Sequence, residues 1–429
     1  MPLFARTKED VQPEVAEPLP EPTHLTGAPD PEESGLRSLD AHRDFLLSNV
    51  QALRPFGIDL LDAAGLTLCE SIVADLDLPT CTSATTDGWA VRASNLVGAA
   101  PRLPVVLPVV DEIDADGHRG APLTKGTAVR VAAGAPVPEG ADAVVPLCDG
   151  EPIEDGVRFT GEARFQQNML LAGSRISDGD LLVTKGEELT PRLLALVAEV
   201  GYDKVLARPR PRVVVLTADS ALVEPGLPLT RLSESYDACT TLLAATARRD
   251  GGQVFAAGIV PSEPKALAIA LGEQLVRADL VLLVTEVTDS LVEMLGREGA
   301  VDVAEVDALA GRQAFALVGP DRAPVLVLPP GAVPAYLAYL LLARPLLRQL
   351  AGVDDRGPEP VAAPVTETIE ADPQRTRLVL GRHSVRGVAP LPSADPGAGE
   401  LAQANAVVVV PPGVGAIAAH ADVTCWLLD

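Results

Sequence analysis

The hexapeptide RVVVLT, Arg212–Thr217, decides the fold of the larger part of the chain. An apolar run without polar alternation is typical of a strand that is covered on both faces. Further helix-like and strand-like segments follow it: helices at 237–249, 263–276 and 334–350, and strands at 253–259, 280–285 and 324–328. Because helix and strand alternate, residues 209–353 are predicted to form a three-layer α/β domain with a largely parallel sheet.

The predicted sheet also indicates where a ligand would bind. In sheets of this kind, ligands bind beyond the carboxyl ends of the strands. The segments Thr217–Gly226 and Thr285–Ser290 follow two of the predicted strands. We therefore expect the ligand site of this domain to be formed there.

The sequence before residue 209 has a different pattern. Between 93 and 164, short Val-rich runs separated by Gly and Pro predict a small β domain. The flanking segments 37–92 and 165–208 are predicted to form one N-terminal domain. Its predicted helices are Ser38–Leu53, Leu60–Leu68 and Thr190–Val200, the last with Thr190 as N-cap.

The two ends of the chain differ from the segments between them. Residues 1–36 carry seven prolines separated by acidic residues, a composition that predicts a disordered acidic tail. Residues 357–429 return to short apolar runs and predict a C-terminal β domain.

Composition excludes several classes of partner. Lys and Arg total 34 against 59 Asp and Glu, which gives a net charge of -25 and disfavours nucleic acid and anionic membranes. The longest apolar run, Tyr336–Ala343, is too short to cross a bilayer, and Met1–Asp10 has no apolar signal core. The five cysteines form no CxxC pair, which favours reduced thiols. We expect a cytoplasmic protein that is not inserted in a membrane.

Two segments carry few charged side chains. They are LPTCTSATTDGWAVR, Leu78–Arg92, and AAGAPVPEGADAVVP, Ala132–Pro146. Asp87 is the one acid of the first segment, and we expect it to be buried. It is either a catalytic carboxylate or a cap that fixes the DGW bend, and the second interpretation is at least as well supported.

Four segments resemble motifs of the molybdopterin molybdenumtransferase (MoeA) family, to which the gephyrin E domain is related. The Leu78–Arg92 segment resembles LPxFDNSAMDGYAVR, and AVRVAAGAPVPEGADAVVP resembles xIRIxTGAPxPxGADAVVxxE. VVVLTADSALVEPG is similar to VxxxSTGDELxxPG, and VLVLPPGAVPA resembles the LPGNPVSA loop. Because the segments agree in order and spacing from about Ser38 to Asp429, the chain is identified as a member of this family.

The resemblance implies a fold and an assembly. The expected fold is a multidomain α/β protein with an elongated N-terminal region, an inserted β domain, a molybdopterin-binding-like three-layer domain and a C-terminal β-barrel-like domain. The expected assembly is a homodimer.

The resemblance also implies a reaction, the insertion of molybdate into adenylated molybdopterin with release of AMP and with Mg²⁺ as cofactor. Such chemistry needs oxygen ligands for the cation and donors for phosphate and molybdate oxyanions. Asp87 matches a catalytic carboxylate of the family. Gly134, in the GAP motif, and Asp237, in the SYDAC segment, match substrate-binding positions.

Most of the other chemical groups of the family are replaced. The family's Asp-Asn-Ser is Thr82–Ala84 here, and the arginines of NIRRRGED become Leu170, Leu171 and Ala172. The acids of TGDEL become Ser220 and Ala221, and the Gly-Gly-Val-Ser loop becomes Thr285–Thr288, which includes Glu286. Leu and Ala cannot replace the fork-shaped donors of Arg, and Glu286 puts a negative charge where an anion would bind.

Three hypotheses follow from these replacements. The first is a catalytically degenerate, gephyrin-like homodimeric scaffold that binds a protein or peptide partner. The second is an active transferase that uses adenylated molybdopterin and molybdate. The third is a retargeted pocket for another small molecule, for which the sequence identifies no ligand.

Overall fold

The computed structural model describes residues 23–116, 120–370, 374–391 and 395–428. The chain forms two compact units. The first contains the chain up to Arg54 and from Arg208 onward, and the second is Pro55–Ala207. The multidomain α/β organisation expected from the sequence is confirmed. Within the described ranges, no helix is long and apolar enough to span a bilayer.

The first unit is built on a seven-stranded sheet. Its strands are β1 (Thr23–His24), β2 (Arg212–Ala218), β3 (Gln253–Val260), β4 (Leu280–Val284), β5 (Gly299–Glu305), β6 (Arg312–Val318) and β7 (Ala323–Leu328). Their spatial order is β1-β5-β6-β7-β4-β2-β3. The β5–β6 and β6–β7 pairs are antiparallel and the other neighbouring pairs are parallel. The carboxyl ends of β2, β3, β4 and β7 therefore lie at one edge.

Helices pack on both faces of this sheet. They are α1 (Leu39–Ser48), α2 (Cys239–Arg249), α3 (Pro264–Leu275), α4 (Asp289–Glu298), α5 (Ala332–Ala338) and α6 (Arg344–Leu350), with the π-helical turn Tyr339–Ala343 joining α5 to α6. Val213 and Val215 of β2 pack with α1, α2, α5 and α6, whereas Val214 and Leu216 pack with α3 and α4. Because successive strand residues point to opposite faces, the apolar run of β2 supplies both cores.

The C-terminal part of the first unit contains a five-stranded antiparallel sheet. In spatial order its strands are Pro360–Pro364, Asp422–Leu427, Ala406–Val410, Arg377–Ser384 and Gly387–Pro390. A two-stranded ribbon (Ile369–Glu370 with Ala416–Ile417) and the helix Ala398–Gln403 complete it. Val408 and Cys425 of facing strands are fully buried in its own core.

The second unit consists of small sheets and one α-helix. A four-stranded sheet contains Val109–Ile113, Ala128–Val131, Gly88–Val91 and Ala143–Pro146, and a three-stranded sheet contains Gly150–Ile153, Gly156–Phe159 and Val105–Leu107. Three two-stranded ribbons pair Ser83–Ala84 with Met169–Leu170, Ile72–Val73 with Leu181–Val183, and Phe56–Asp59 with Lys204–Ala207. The helix Pro191–Glu199 begins as predicted, because Thr190 accepts a hydrogen bond from the Leu193 amide at 3.3 Å.

The prediction of disorder for residues 1–36 is wrong from residue 23 onward, while residues 1–22 lie outside the described residues. Strand β1 pairs with β5, and the amide of Leu25 donates to the carbonyl of Val301 at 3.1 Å. Leu25 is buried in the core of the first unit. The composition of the tail predicted disorder because it could not reveal that a distant sheet edge accepts this short strand.

Two other predictions are wrong, one of domain membership and one of secondary structure. Helix α1, predicted to belong with the N-terminal domain that starts at 37, packs its Phe45 and Leu46 into the first unit. Leu60–Leu68 forms turns rather than a helix. The amides of Gly65 and Leu68 donate to carbonyls of Leu189 and Glu187, so hydrogen bonds to distant backbone replace those of a helix.

Candidate functional site

A cavity of about 770 Å³ lies in the first unit at the carboxyl ends of the parallel strands. Both segments expected from the sequence contribute to it: Thr217 and Ala218 end β2, Asp219 and Leu222 follow it, and Thr285, Glu286, Thr288 and Ser290 follow β4. Residues of two loops that the sequence reasoning missed also line it, namely Ser262 and Pro264 after β3 and Pro330–Ala332 after β7. The carboxyl-end rule, applied to all four strands, would have found them.

Asp237 is a buried carboxylate in this cavity, with 3% of its surface exposed. Its Oδ1 accepts a hydrogen bond from the amide of Thr240 at 3.1 Å, in the first turn of α2. The hydroxyls of Thr240 and Thr217 are hydrogen-bonded at 2.8 Å. Asp237 therefore occupies the place at the amino end of a helix where a ligand anion would otherwise bind.

Two further helices that begin at the cavity, α3 and α4, also have their first-turn amides bound by side chains of the protein. The Glu263 carboxylate accepts from the Ala266 amide at 2.9 Å and caps α3. The Thr288 hydroxyl accepts from the Leu291 amide at 3.2 Å and caps α4. Backbone donors that could hold an oxyanion are thus partly taken by side chains of the protein.

The charged side chains of the cavity wall are all acidic. Asp219, Asp237 and Glu286 line it, and no Lys, Arg or His of the described residues does so. A helix end carries about half a positive charge, whereas a carboxylate carries a full negative charge. Three carboxylates outweigh the helix ends, so the cavity disfavours anions.

Two arginines that contact loops of the cavity wall are already engaged. Arg312 donates to Asp289 at 2.8 Å, and Arg231 donates to Glu234 at 2.8 Å. Glu234 also accepts from the amide of Arg231, and these hydrogen bonds lower the pKa of its carboxyl to about 2. Neither arginine therefore supplies an unpaired charge for an incoming phosphate.

Cys239, the first residue of α2, is a buried thiol in the cavity wall. Burial raises the pKa of this thiol; the Gly331 amide opposes that effect and the nearby Asp237 carboxylate adds to it. The thiol is therefore kept protonated near neutral pH, which is unlike the environment of a nucleophilic cysteine.

Asp87, in the second unit, is exposed, which corrects the expectation that it is buried. Its Oδ1 accepts a hydrogen bond from the backbone amide of Ala133 at 2.7 Å. Its carbonyl accepts from the amide of Leu147 at 3.2 Å. Asp87 thus connects the two segments that the sequence singled out, rather than capping only its own bend.

Gly134 lies in the same cluster of loops. Its amide donates to the carbonyl of Ala84 at 2.8 Å, and the amide of Ala84 donates to Ala135 at 2.9 Å. Gly134 has a φ of +83°, and a Cβ placed there would meet no atom within 4 Å. The glycine is therefore required by the conformation of the turn and not by a close approach.

The positions of the family's three arginines lie beside these loops. Met169–Leu170 pairs with Ser83–Ala84, and the amide of Ala172 donates to the hydroxyl of Thr82 at 3.2 Å. The structure thus brings the segments around Asp87, Gly134 and Leu170 together, but their side chains supply no cationic donor at these positions. Asp237 belongs to the other unit.

The donor set also fits Mg²⁺ poorly. Mg²⁺ requires near-octahedral oxygen coordination, usually by one or two carboxylates together with substrate phosphates and water. In the described residues, no three His, Cys, Asp or Glu side chains are grouped as metal ligands. One oxygen of Asp87 is already engaged by the Ala133 amide.

Comparisons with known proteins agree with the resemblance of the motifs. The family model for the MoeA N-terminal region (domain I and II) matches residues 37–201. Molybdopterin molybdenumtransferase 2 of Mycobacterium tuberculosis H37Rv is 29% identical over 405 residues, which cover 91% of this chain and 99% of that protein. Molybdopterin molybdenumtransferase 1 of the same strain is 29% identical over 412 residues, 88% of this chain and 96% of the relative.

A solved structure supports the fold. The MoeA protein of molybdopterin biosynthesis from Pyrococcus horikosii has a TM-score of 0.80 at 23% identity and covers 92% of this chain and 99% of its own. Together with the family model and the two mycobacterial relatives, this likeness shows that the chain belongs to the MoeA family of molybdenum-cofactor biosynthesis.

Proposed function

We propose that this chain is a catalytically degenerate MoeA-family protein that acts as a gephyrin-like homodimeric scaffold for a protein or peptide partner in the cytoplasm. The observation that carries the proposal is the charge of the cavity in the first unit. Its wall has three carboxylates; Asp237 accepts from a first-turn amide of α2, and Glu263 caps α3. Adenylated molybdopterin and molybdate are anions, for which these groups are unfavourable.

The retained architecture supports a role other than the transferase reaction. The fold is preserved while the groups that would bind oxyanions are replaced by Leu170, Leu171 and Ala172 in one unit and by Glu286 in the other. Asp87, which could serve as a carboxylate catalyst, holds the Ala133 amide instead. Under this proposal the protein needs no Mg²⁺, and the retained fold forms the homodimer and binds the partner.

The competing function is an active transferase that inserts molybdate into adenylated molybdopterin with Mg²⁺. It is favoured by one observation: two mycobacterial relatives named molybdopterin molybdenumtransferase align over nearly their whole length. That activity belongs to the relatives, and the replaced residues at 170–172 and 286 are the reason for placing it second here.

Complementation of a bacterial strain that lacks its molybdenumtransferase separates the two functions. We expect no restored nitrate reductase activity from this chain, even when its expression and folding are verified. Restored activity would refute catalytic degeneracy. The scaffold is tested separately by sedimentation of the full chain, for which we expect a dimer; a monomer at micromolar concentration would exclude the homodimeric scaffold.

A further inference from the structure

We propose that the cavity at the carboxyl ends of β2, β3, β4 and β7 binds a small organic amine in its cationic form, with Asp237 and Glu286 as the acceptors for the ammonium group. The inference rests on the proposed loss of anion binding and adds a ligand class to it. The cavity would then bind cations in preference to anions, and it would not be a site that has lost all ligand binding.

Asp237 is the inner acceptor. Only 3% of its surface is exposed, and the Thr240 amide occupies Oδ1. Within the described parts of the chain, no protein group donates to its Oδ2. Oδ2 is not one of the fully enclosed side-chain atoms that lack a partner, so it is open to the cavity. A carboxylate can accept about four hydrogen bonds, so a ligand donor that reaches Oδ2 can replace water there.

Glu286 is the outer acceptor. It is exposed at the mouth of the cavity and forms no ion pair with any residue that the structure describes. Asp219, the third acid, has its Oδ1 engaged by the amide of Ala221 at 2.7 Å. An ammonium group has three N–H donors and no acceptor, so it complements a wall that offers carboxylates and no cation.

The remainder of the cavity fits the carbon skeleton of such a ligand. Leu267, Leu291 and Met294 form an apolar side, and the hydroxyls of Ser262 and Ser290 are also part of the wall. A volume of about 770 Å³ is within the range of sites for small molecules. The ligand class is therefore an amine with an aromatic or aliphatic body that carries a hydroxyl.

Three probes of one shape and different charge test the charge preference. They are tyramine, which is cationic, tyrosol, which is neutral, and 4-hydroxyphenylacetate, which is anionic. We would measure the binding of each to the full chain by saturation-transfer NMR and calorimetry. We expect tyramine to bind best and at least about tenfold more tightly than the anion, a difference of about 1.4 kcal/mol.

Charge variants locate the site. Glu286→Lys should reverse the preference between tyramine and 4-hydroxyphenylacetate, and Glu286→Gln should reduce it. Asp237→Asn should weaken tyramine binding while keeping the hydrogen bond from the Thr240 amide, because the side-chain oxygen of Asn also accepts. Glu273→Lys is the matched control, since Glu273 is exposed on α3 and lies outside the cavity wall.

The inference is overturned by equal binding of the cation and the anion, by the absence of saturable tyramine binding at millimolar concentration, or by an equal effect of Glu286→Lys and Glu273→Lys. Complementation fails or succeeds independently of these measurements. Restored nitrate reductase activity would remove the proposed function, whereas loss of tyramine binding alone would remove only the ligand inference.

Discussion

The carboxylate of Asp87 accepts a hydrogen bond from the backbone amide of Ala133 at 2.7 Å and so joins two loops that are 46 residues apart in sequence. The acid that resembles a catalyst in the sequence has a structural partner. Because Asp87 is exposed, water competes for its oxygens, and the hydrogen bond is worth about 1 kcal/mol rather than the larger values of buried charged groups.

We predict that Asp87→Ala lowers the stability of the second unit by about 1 kcal/mol. Asp87→Asn keeps an acceptor oxygen, so it should lose less stability. The buried Trp89 lies two residues away and reports on this unit. In a Trp426→Phe background, urea unfolding followed by the fluorescence of Trp89 measures the change. Glu139→Ala, in an exposed position of the same loop region, is the control. Equal midpoints for Asp87→Ala and Glu139→Ala would contradict the structural role.

Uninterrupted apolar runs made the central sheet predictable. Val213–Leu216 in β2 and the whole of β4 are buried on both faces, so composition alone identified them. The carboxyl-end rule then located the cavity, because that rule depends on strand direction and not on side-chain detail. The start of Pro191–Glu199 was equally predictable, since a Thr-Pro pair is a local signal.

Features that depend on distant partners were not predictable. β5 and β6 form a hairpin that is buried over most of its length, but the buried polar residues Asp302 and Gln313 lie within it, so neither strand is an uninterrupted apolar run in the sequence. Thr23–His24 becomes a strand only because the edge of β5 accepts it. The exposure of Asp87 and its hydrogen bond to the Ala133 amide depend on loop geometry, which no spacing in the sequence encodes.

The loop between Val223 and Ser235 is held closed by Glu234, and we predict that Glu234→Ala opens it. Glu234 accepts from the amide and hydroxyl of Thr230 and from the amide and side chain of Arg231. Leu232, directly after Arg231, is fully exposed. Trypsin should therefore cleave after Arg231 much faster in the variant than in the parent chain.

Limited proteolysis followed by mass spectrometry measures this rate. Glu224→Ala, an exposed acid of the same loop, should leave it unchanged. If both variants are cleaved as slowly as the parent, the Glu234 contacts do not hold the loop. Because the pKa of Glu234 is lowered to about 2, the loop should stay protected throughout the pH range in which trypsin is active.

Tyr339, in the π-helical turn, donates its hydroxyl proton to Oδ2 of Asp250 at 2.8 Å in the core of the first unit. Burial first and the Asp250 carboxylate second raise the pKa of Tyr339 above its ordinary value of 10. Above pH 10 the unfolded chain therefore releases a proton that the folded chain keeps. Stability from this group is complete below pH 10 and is lost as the pH rises beyond it.

We predict that Tyr339→Phe costs about 1–3 kcal/mol at pH 7, because it leaves Asp250 without its buried donor, and that it reduces the loss of stability at alkaline pH. Unfolding in urea at several pH values between 7 and 11, followed by circular dichroism, measures both effects. Tyr236→Phe, at an exposed position, should show neither. If Tyr339→Phe is as stable as the parent at pH 7 and loses as much stability at alkaline pH, the role given to the Tyr339–Asp250 hydrogen bond is wrong.

We expect His42 to make the stability of the first unit fall at acid pH, as Tyr339 does at alkaline pH. It is 1% exposed, and neither ring nitrogen has a hydrogen-bond partner among the described residues. Burial lowers its pKa from 6.5 to about 4; the Asp302 carboxylate opposes this and Arg37 adds to it. Arg37 and Asp302 are themselves joined by two hydrogen bonds of 2.6 and 3.0 Å, so the positive charge of Arg37 offsets part of the stabilisation that Asp302 gives an imidazolium.

Between pH 6.5 and about 4 the unfolded chain therefore binds a proton that the folded chain does not, and stability must fall as the pH falls through this window. A difference of about 2.5 pKa units corresponds to about 3 kcal/mol at its lower end. We predict that His42→Leu, which keeps the site apolar, removes this slope, whereas His420→Asn at an exposed position retains it. Urea midpoints measured from pH 4.5 to 8 decide the matter: if the slope persists in His42→Leu, another group governs the acid sensitivity of the first unit.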